Sequence, residues 1–219
     1  MSKSETVKRY ILFIISLFFS ALGVAFTKHG ELGVSPISSV ANVMSYKFDS
    51  LSLGTWLIIW NCVLILGQII ILRRRFEPIQ LLQIPLSFLF GKFTDIGMFI
   101  VSFIPVSSYL LRLIMVFSGV VILGFGISLA VIANVIMNSG EAFVKAVSDT
   151  WGREFGNVKI MFDIFCVVLA VILSLIFFDL TIIGTREGTV ISALCTGMVV
   201  KFFTKRVKVP IENILCGKG

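Results

Sequence analysis

Long charge-free apolar runs constrain this chain more than any other feature. No charged residue occurs between Arg9 and Lys28, and none between Ser50 and Leu72. A bilayer-crossing helix needs roughly 20 consecutive apolar residues, so each run has the length of a span. The run from Tyr109 to Met137 is charged only at Arg112, and the run from Val158 to Phe178 has Asp163 as its main interior charge. Two further stretches complete the pattern. One extends from about Pro78 to Ile104 and is interrupted by Lys92 and Asp95; the other follows the turn Gly184–Gly188 and ends near Phe203. Composition excludes a soluble fold: 57% of residues are hydrophobic and 14% charged, with a mean hydropathy of +1.02. A soluble domain of this size must cover its exterior with more polar surface than that. The expected class is an all-α membrane protein, a single membrane domain over 1–219 with about six transmembrane helices.

Two shorter segments behave differently. Between the first and second runs, Ile37, Val40, Ala41, Met44 and Phe48 recur at helical spacing. Ser35 suits the N-cap of that helix and Pro36 its first position. Between the fourth and fifth runs, Gly140 to Trp151 places Phe143, Val144, Val147 and Trp151 on one side. Both are read as short amphipathic or re-entrant helices. Re-entrant backbone is tolerated at membrane depth only where protein or a water-filled cavity surrounds it.

The net charge of +7 invites a nucleic-acid reading, but the basic residues gather at the ends of apolar runs rather than along a soluble stripe. They act instead as orientation signals. The N-terminus, Arg73–Arg75 and the tail around Lys205, Arg206 and Lys208 are all basic, which places both termini in the cytoplasm. The segment from Glu141 to Glu154 is charge-balanced and adds nothing. Lys3, Lys8 and Arg9 ahead of the first run resemble a signal-peptide start, yet the run is long and no small-x-small cleavage site follows it, so it is expected to stay as a mature helix.

Landmarks recur in order at a nearly constant separation of about 102–105 positions, the signature of an internal repeat. Arg9 matches Arg112, Gly23 matches Gly126, Gly54 matches Gly156, Asn61 matches Asp163, Ser87 matches Ser192 and Leu89 matches Leu194. Repeat one covers about 9–108, repeat two about 109–206, and 207–219 forms a cytoplasmic tail. Three spans per half is an odd number, so the second copy enters the membrane from the opposite side. The result is a pair of inverted-topology three-helix repeats, an arrangement many secondary transporters use.

The stretch Gly33-Val34-Ser35-Pro36, the amphipathic segment after it, and Gly54-Thr55 ahead of an apolar helix resemble the YczE/YyaS/YitT-like bacterial membrane proteins. The segment Gly184-Thr185-Arg186-Glu187-Gly188-Thr189 with Val190 to Leu194 looks like that group's glycine–threonine start of the last helix. The likeness spans about Arg9 to Lys205. In the second half Ser139-Gly140-Glu141 stands where another glycine–proline start would be expected. The resemblance implies a multi-pass protein of the bacterial cytoplasmic membrane.

Candidate sites follow from the cost of polar groups at membrane depth. Lys92 and Asp95 share a helix face, and they read either as a coupling carboxylate with its lysine or as a structural pair near a helix end. Asn61 and Asp163 occupy equivalent places in the two halves; facing one another, an acid and an amide suit a polar solute or cation, whereas the structural alternative is an interhelical hydrogen bond. Ser35, Pro36 and Ser139 open the short helices, whose N–H groups would either be capped or meet an anionic group. Arg186 and Glu187 read as part of a solvated turn, with a gate as the alternative. His29 is the only histidine, too few for a metal site. Cys62, Cys166 and Cys195 lie in apolar runs and Cys216 in the basic tail, with no C-x-x-C pair, so no metal or redox cofactor is expected.

These features point to a secondary transporter of a small solute working by alternating access. The alternative is a non-transporting accessory or scaffold factor acting through helix contacts with a second copy or another membrane protein. An enzyme is not expected, since no H-E-x-x-H stands in the chain and a serine–histidine pair has only His29 to draw on.

Overall fold

The computed structural model describes residues 3–216, and no strand occurs among them. Eight α-helices follow in order: α1 (Lys3–His29), α2 (Pro36–Lys47), α3 (Leu53–Leu72), α4 (Gln83–Val101), α5 (Tyr109–Ala133), α6 (Ser139–Trp151), α7 (Phe155–Phe177) and α8 (Glu187–Cys216). The expected short helices are α2 and α6. The expected tail is helical through residue 216, as the continuation of α8. The thiol of Cys216 and residues 217–219 lie outside the described residues.

Five helices among the described residues are long and apolar enough to cross a membrane. They comprise α1, α3, α4 with its lead-in turn, α5 and α7. The stretch Pro78–Val101 is the least apolar, with a hydropathy of 1.5 against 2.2 to 2.9 for the others. Its α-helix begins at Gln83, later than the sequence suggests, because Pro78–Leu82 forms a 3-10 turn. Proline fixes its own φ and carries no N–H, which suits the start of such a turn. Helix α8 has the length of a span at 30 residues, but Lys201, Lys205, Arg206 and Lys208 dilute its second half and Pro210 lies inside it.

Helices α1 and α5 form the central pair. Glycine makes their approach so close that a Cβ at Gly23 would sit 2.5 Å from the backbone nitrogen of Leu123, and one at Gly126 would sit 2.5 Å from that of Ser20. The two contacts are reciprocal: Ser20 and Leu123 stand at the same separation in sequence as Gly23 and Gly126. Within a bilayer, lipid offers no hydrophobic drive between helices, so small residues that bring backbones together supply the packing. Arg9 ties one end of this pair by donating to the carbonyls of Ile132 and Ala133 at 3.3 and 3.2 Å. Arg112 pairs with Glu31 at the other end.

The remaining helices arrange themselves around that pair. Helix α4 packs on α1 and α8 on α5, while α2 packs against α7 and α6 against α3. The N-termini of α2 and α6 meet inside the bundle, where Gly140 lies against the Ile37 side chain. From that point they diverge. Lys47 at the far end of α2 donates to the carbonyl of Phe177 at the end of α7. The outer part of α6 lies near Arg75 and Glu77 at the opposite end of the molecule. The irregular segment leading into α2 is sheltered by protein, with Leu32 and Val34 fully buried, as backbone at membrane depth requires.

Candidate functional site

A cavity of about 480 Å³ lies where the two short helices begin. Every helix contributes to its wall. Much of the lining is apolar, including Leu57, Trp60, Phe90, Leu123 and Ile127. The polar groups include Asn61 from α3, Glu141 from the first turn of α6, Lys159 and Asp163 from α7, and Ser35 and Ser139 at the short-helix starts.

Each polar group arrives by a definite route. Lys159 and Asp163 stand four residues apart on α7, so they share a face, and Lys159 donates to Asp163 at 2.5 Å. Asn61 on α3 makes no hydrogen bond among the described residues. Glu141 lies in the first turn of α6, half-buried, with no ion-pair partner among the described residues. Burial pushes its carboxyl above the ordinary carboxylate value, and the neighbouring Lys159 pulls the other way. Trp60 Nε1 and Ser20 Oγ on the cavity wall are buried without hydrogen-bond partners, each costing on the order of 1–3 kcal/mol unless a ligand or water reaches it.

The serines do not act as side-chain caps. Ser35 holds the N-cap position of α2, but its hydroxyl donates to Ser38 Oγ at 3.0 Å, and no side-chain cap bond forms. The N-cap of α6 is Asn138, also without a side-chain cap bond. Ser139 is instead the first helical residue: its carbonyl accepts from Gln68 Nε2 at 3.2 Å and its hydroxyl lies 3.3 Å from that of Ser87. Pro36 borders the cavity and leaves no N–H to satisfy there.

A buried amide pair closes one side. Gln68 and Gln83 each donate to the other at 3.1 Å. Gln83 borders both the central cavity and a second one of about 500 Å³, which Arg75, Glu77, Lys145 and Asp149 help to line. The pair therefore stands between the central cavity and the basic end of the molecule.

Lys92 and Asp95 are placed elsewhere. Asp95 spends one carboxylate oxygen on the Gly54 N–H and the other on the Ser52 hydroxyl, both at 2.9 Å, and so caps α3 from outside. Lys92 is exposed and makes no ion pair with Asp95 among the described residues. Arg186 and Glu187 pair at 3.3 Å on the exposed start of α8, away from the cavity, where Tyr109 also donates to Glu187. His29 bonds the carbonyl of Ile104 at 2.8 Å. Sequence reasoning missed Lys159, Glu141 and Gln83. The signal for the first was present, since Lys159 stands one helical turn before Asp163.

A family model described as a family of unknown function, DUF6198, matches residues 7–205, and the chain belongs to that family. It is also similar to the uncharacterized membrane protein YczE of Bacillus subtilis (strain 168), with 28% identity over 203 residues, 91% of this chain and 87% of that protein. No solved structure matches. The YczE-like resemblance carried by Gly33–Pro36 and Gly184–Leu194 is thereby borne out. This is a helical membrane protein.

Proposed function

From that membership we propose that this membrane protein is a secondary transporter, moving a small solute by alternating access around the central cavity. One observation carries the reading: two short helices from different parts of the chain present their N-termini to a cavity bordered by Asn61 and Asp163, residues at matching places in the two halves. Interrupted helices with their ends at a central site are a recurring transporter plan, because exposed N–H groups and unpaired polar side chains there are useful only to a ligand. Asp163, held by Lys159, is the coupling carboxylate, and Asn61 is the neutral polar contact opposite it.

The same reading takes the two halves as an inverted repeat. The reciprocal contacts of Gly23 with Leu123 and of Gly126 with Ser20 suit a pseudo-two-fold axis through the α1–α5 seam. The crossed packing of α2 on α7 and of α6 on α3 suits it as well. With α8 as a sixth span, both termini and Arg73–Arg75 share one side, which the positive-inside rule assigns to the cytoplasm of a bacterial cell. The Gln68–Gln83 pair then closes the cytoplasmic path.

A thermal-shift screen of purified protein against a metabolite library tests this, since a ligand that binds only the folded state raises its apparent stability. The expected outcome is at least one compound that stabilises the wild type and loses its effect in both Asn61→Ala and Asp163→Asn. Compounds that stabilise all three proteins equally would remove the cavity from the proposal.

A further inference from the structure

The two halves differ at one seam. In the first, α3 and α4 close on each other: Gly54 lies against the carbonyl of Gly91, and a Cβ at Gly91 would meet Ile58 at 2.5 Å. Their counterparts α7 and α8 make no comparable contact. Gly156, the match of Gly54, has nothing nearer its missing Cβ than Glu154 at 4.0 Å, and Gly197 on α8 faces open space. Ile160 on α7 borders the cavity and is nevertheless 60% exposed. Phe155, Ala193 and Gly197 also border the cavity and are exposed. The cavity therefore opens sideways between α7 and α8, along the surface of two strongly apolar helices.

What enters by that route must tolerate lipid, and the inner wall states what else it must carry. The ionisable groups lining the cavity are Glu141, Lys159 and Asp163. Lys159 and Asp163 neutralise each other, which leaves one carboxylate without a counter-ion. The N-termini of α2 and α6 offer only partial positive charge, about half a unit each. The other charges on neighbouring elements are engaged or distant: Lys145 pairs with Asp149 at 3.5 Å, Asp95 is bound to α3, Lys92 is exposed, Lys47 holds the end of α7, and α3 carries no charge between Leu53 and Leu72. Aromatic faces from Trp60, Phe90 and Phe155 line the same space, and such faces attract organic cations.

Resting on the transport reading above, we infer that the solute is an amphipathic organic cation, received from the bilayer between α7 and α8 and held with Glu141 as its counter-ion.

Tetraphenylphosphonium and tetraphenylborate, alike in shape and opposite in charge, are the probes. Equilibrium dialysis of the full chain in detergent is expected to give saturable binding of the phosphonium and none of the borate. Glu141→Gln should weaken phosphonium binding about tenfold or more, and Glu141→Asp should keep most of it, which separates loss of charge from loss of fold. Equal binding of the two ions, or phosphonium binding unchanged in Glu141→Gln, overturns the assignment. In nanodiscs, Gly197→Trp should slow phosphonium association by filling the opening; an unchanged rate overturns the lateral route. Dialysis needs no turnover. Saturable phosphonium binding without uptake into vesicles would remove the transport reading alone, whereas uptake of other solutes without phosphonium binding would remove the cation alone.

Discussion

Lys159 donates to Asp163 at 2.5 Å along one turn of α7, and both side chains border the central cavity. The pair is about a quarter exposed, at 27% and 24%. It is neither a surface ion pair, whose net value is small, nor a sealed one. Breaking it leaves a partly desolvated charge unmatched. A double-mutant cycle of Lys159→Gln and Asp163→Asn, read by thermal or denaturant melting, should show a coupling of about 1 kcal/mol. Additive effects would mean that the two groups act separately.

The two glycine pairs predict opposite responses to the same change. Gly23→Leu and Gly126→Leu would force α1 from α5, costing about 1–3 kcal/mol each by overpacking. Gly156→Ala and Gly197→Ala add a methyl to open space and should change stability by about 0.5 kcal/mol or less, as for ordinary surface substitutions. Melting of the four variants side by side checks this, and a large loss in the second pair would show that the α7–α8 seam is closed in the membrane.

Asp95 should matter to stability and not to the solute. Asp95→Ala removes the acceptor for both the Gly54 N–H and the Ser52 hydroxyl, a cap loss of about 1 kcal/mol. The expected result is a lower melting temperature with solute-induced stabilisation unchanged. Abolished stabilisation with an intact fold would return Asp95 to the site.

Glu141 predicts a pH dependence whose sign follows from burial. Its carboxyl is held above the ordinary carboxylate value in the folded protein, so between those two values the folded state binds more protons than the unfolded one. Stability must then fall as pH rises through that window. Glu141→Gln should remove this part of the slope from melting curves recorded from the ordinary carboxylate range upward. An identical slope in the variant would show that another group carries it.

Much of the fold was legible in the sequence because bilayer crossing demands a property every residue reports. The charge-free runs located α3, α5 and α7 to within about a turn, and fell inside α1, which starts earlier at Lys3; periodicity located α2 and α6. The start of α4 was less legible, since Pro78 begins a 3-10 turn and an α-helix equally well. The site was only half legible. Asn61 and Asp163 stood out as polar residues 102 positions apart within apolar runs, and the cavity includes both. Lys159 stands at the edge of an apolar run and Glu141 in the first turn of a short helix, and nothing local to either residue says that α6 begins inside the bundle. Asp95 was misleading for the converse reason. Its partners Ser52 and Gly54 lie more than forty positions earlier, and nothing local to Asp95 announces them.

Transport itself is tested most directly in proteoliposomes, by following uptake of the strongest stabilising compound from the metabolite screen under an imposed pH gradient. Wild-type protein should accumulate the compound and lose accumulation when the gradient is collapsed, while Asp163→Asn, folded and inserted to the same level, should not accumulate it. Gradient-driven uptake that persists unchanged in Asp163→Asn, or the absence of uptake by wild-type protein for every stabilising compound, would contradict alternating access around this cavity.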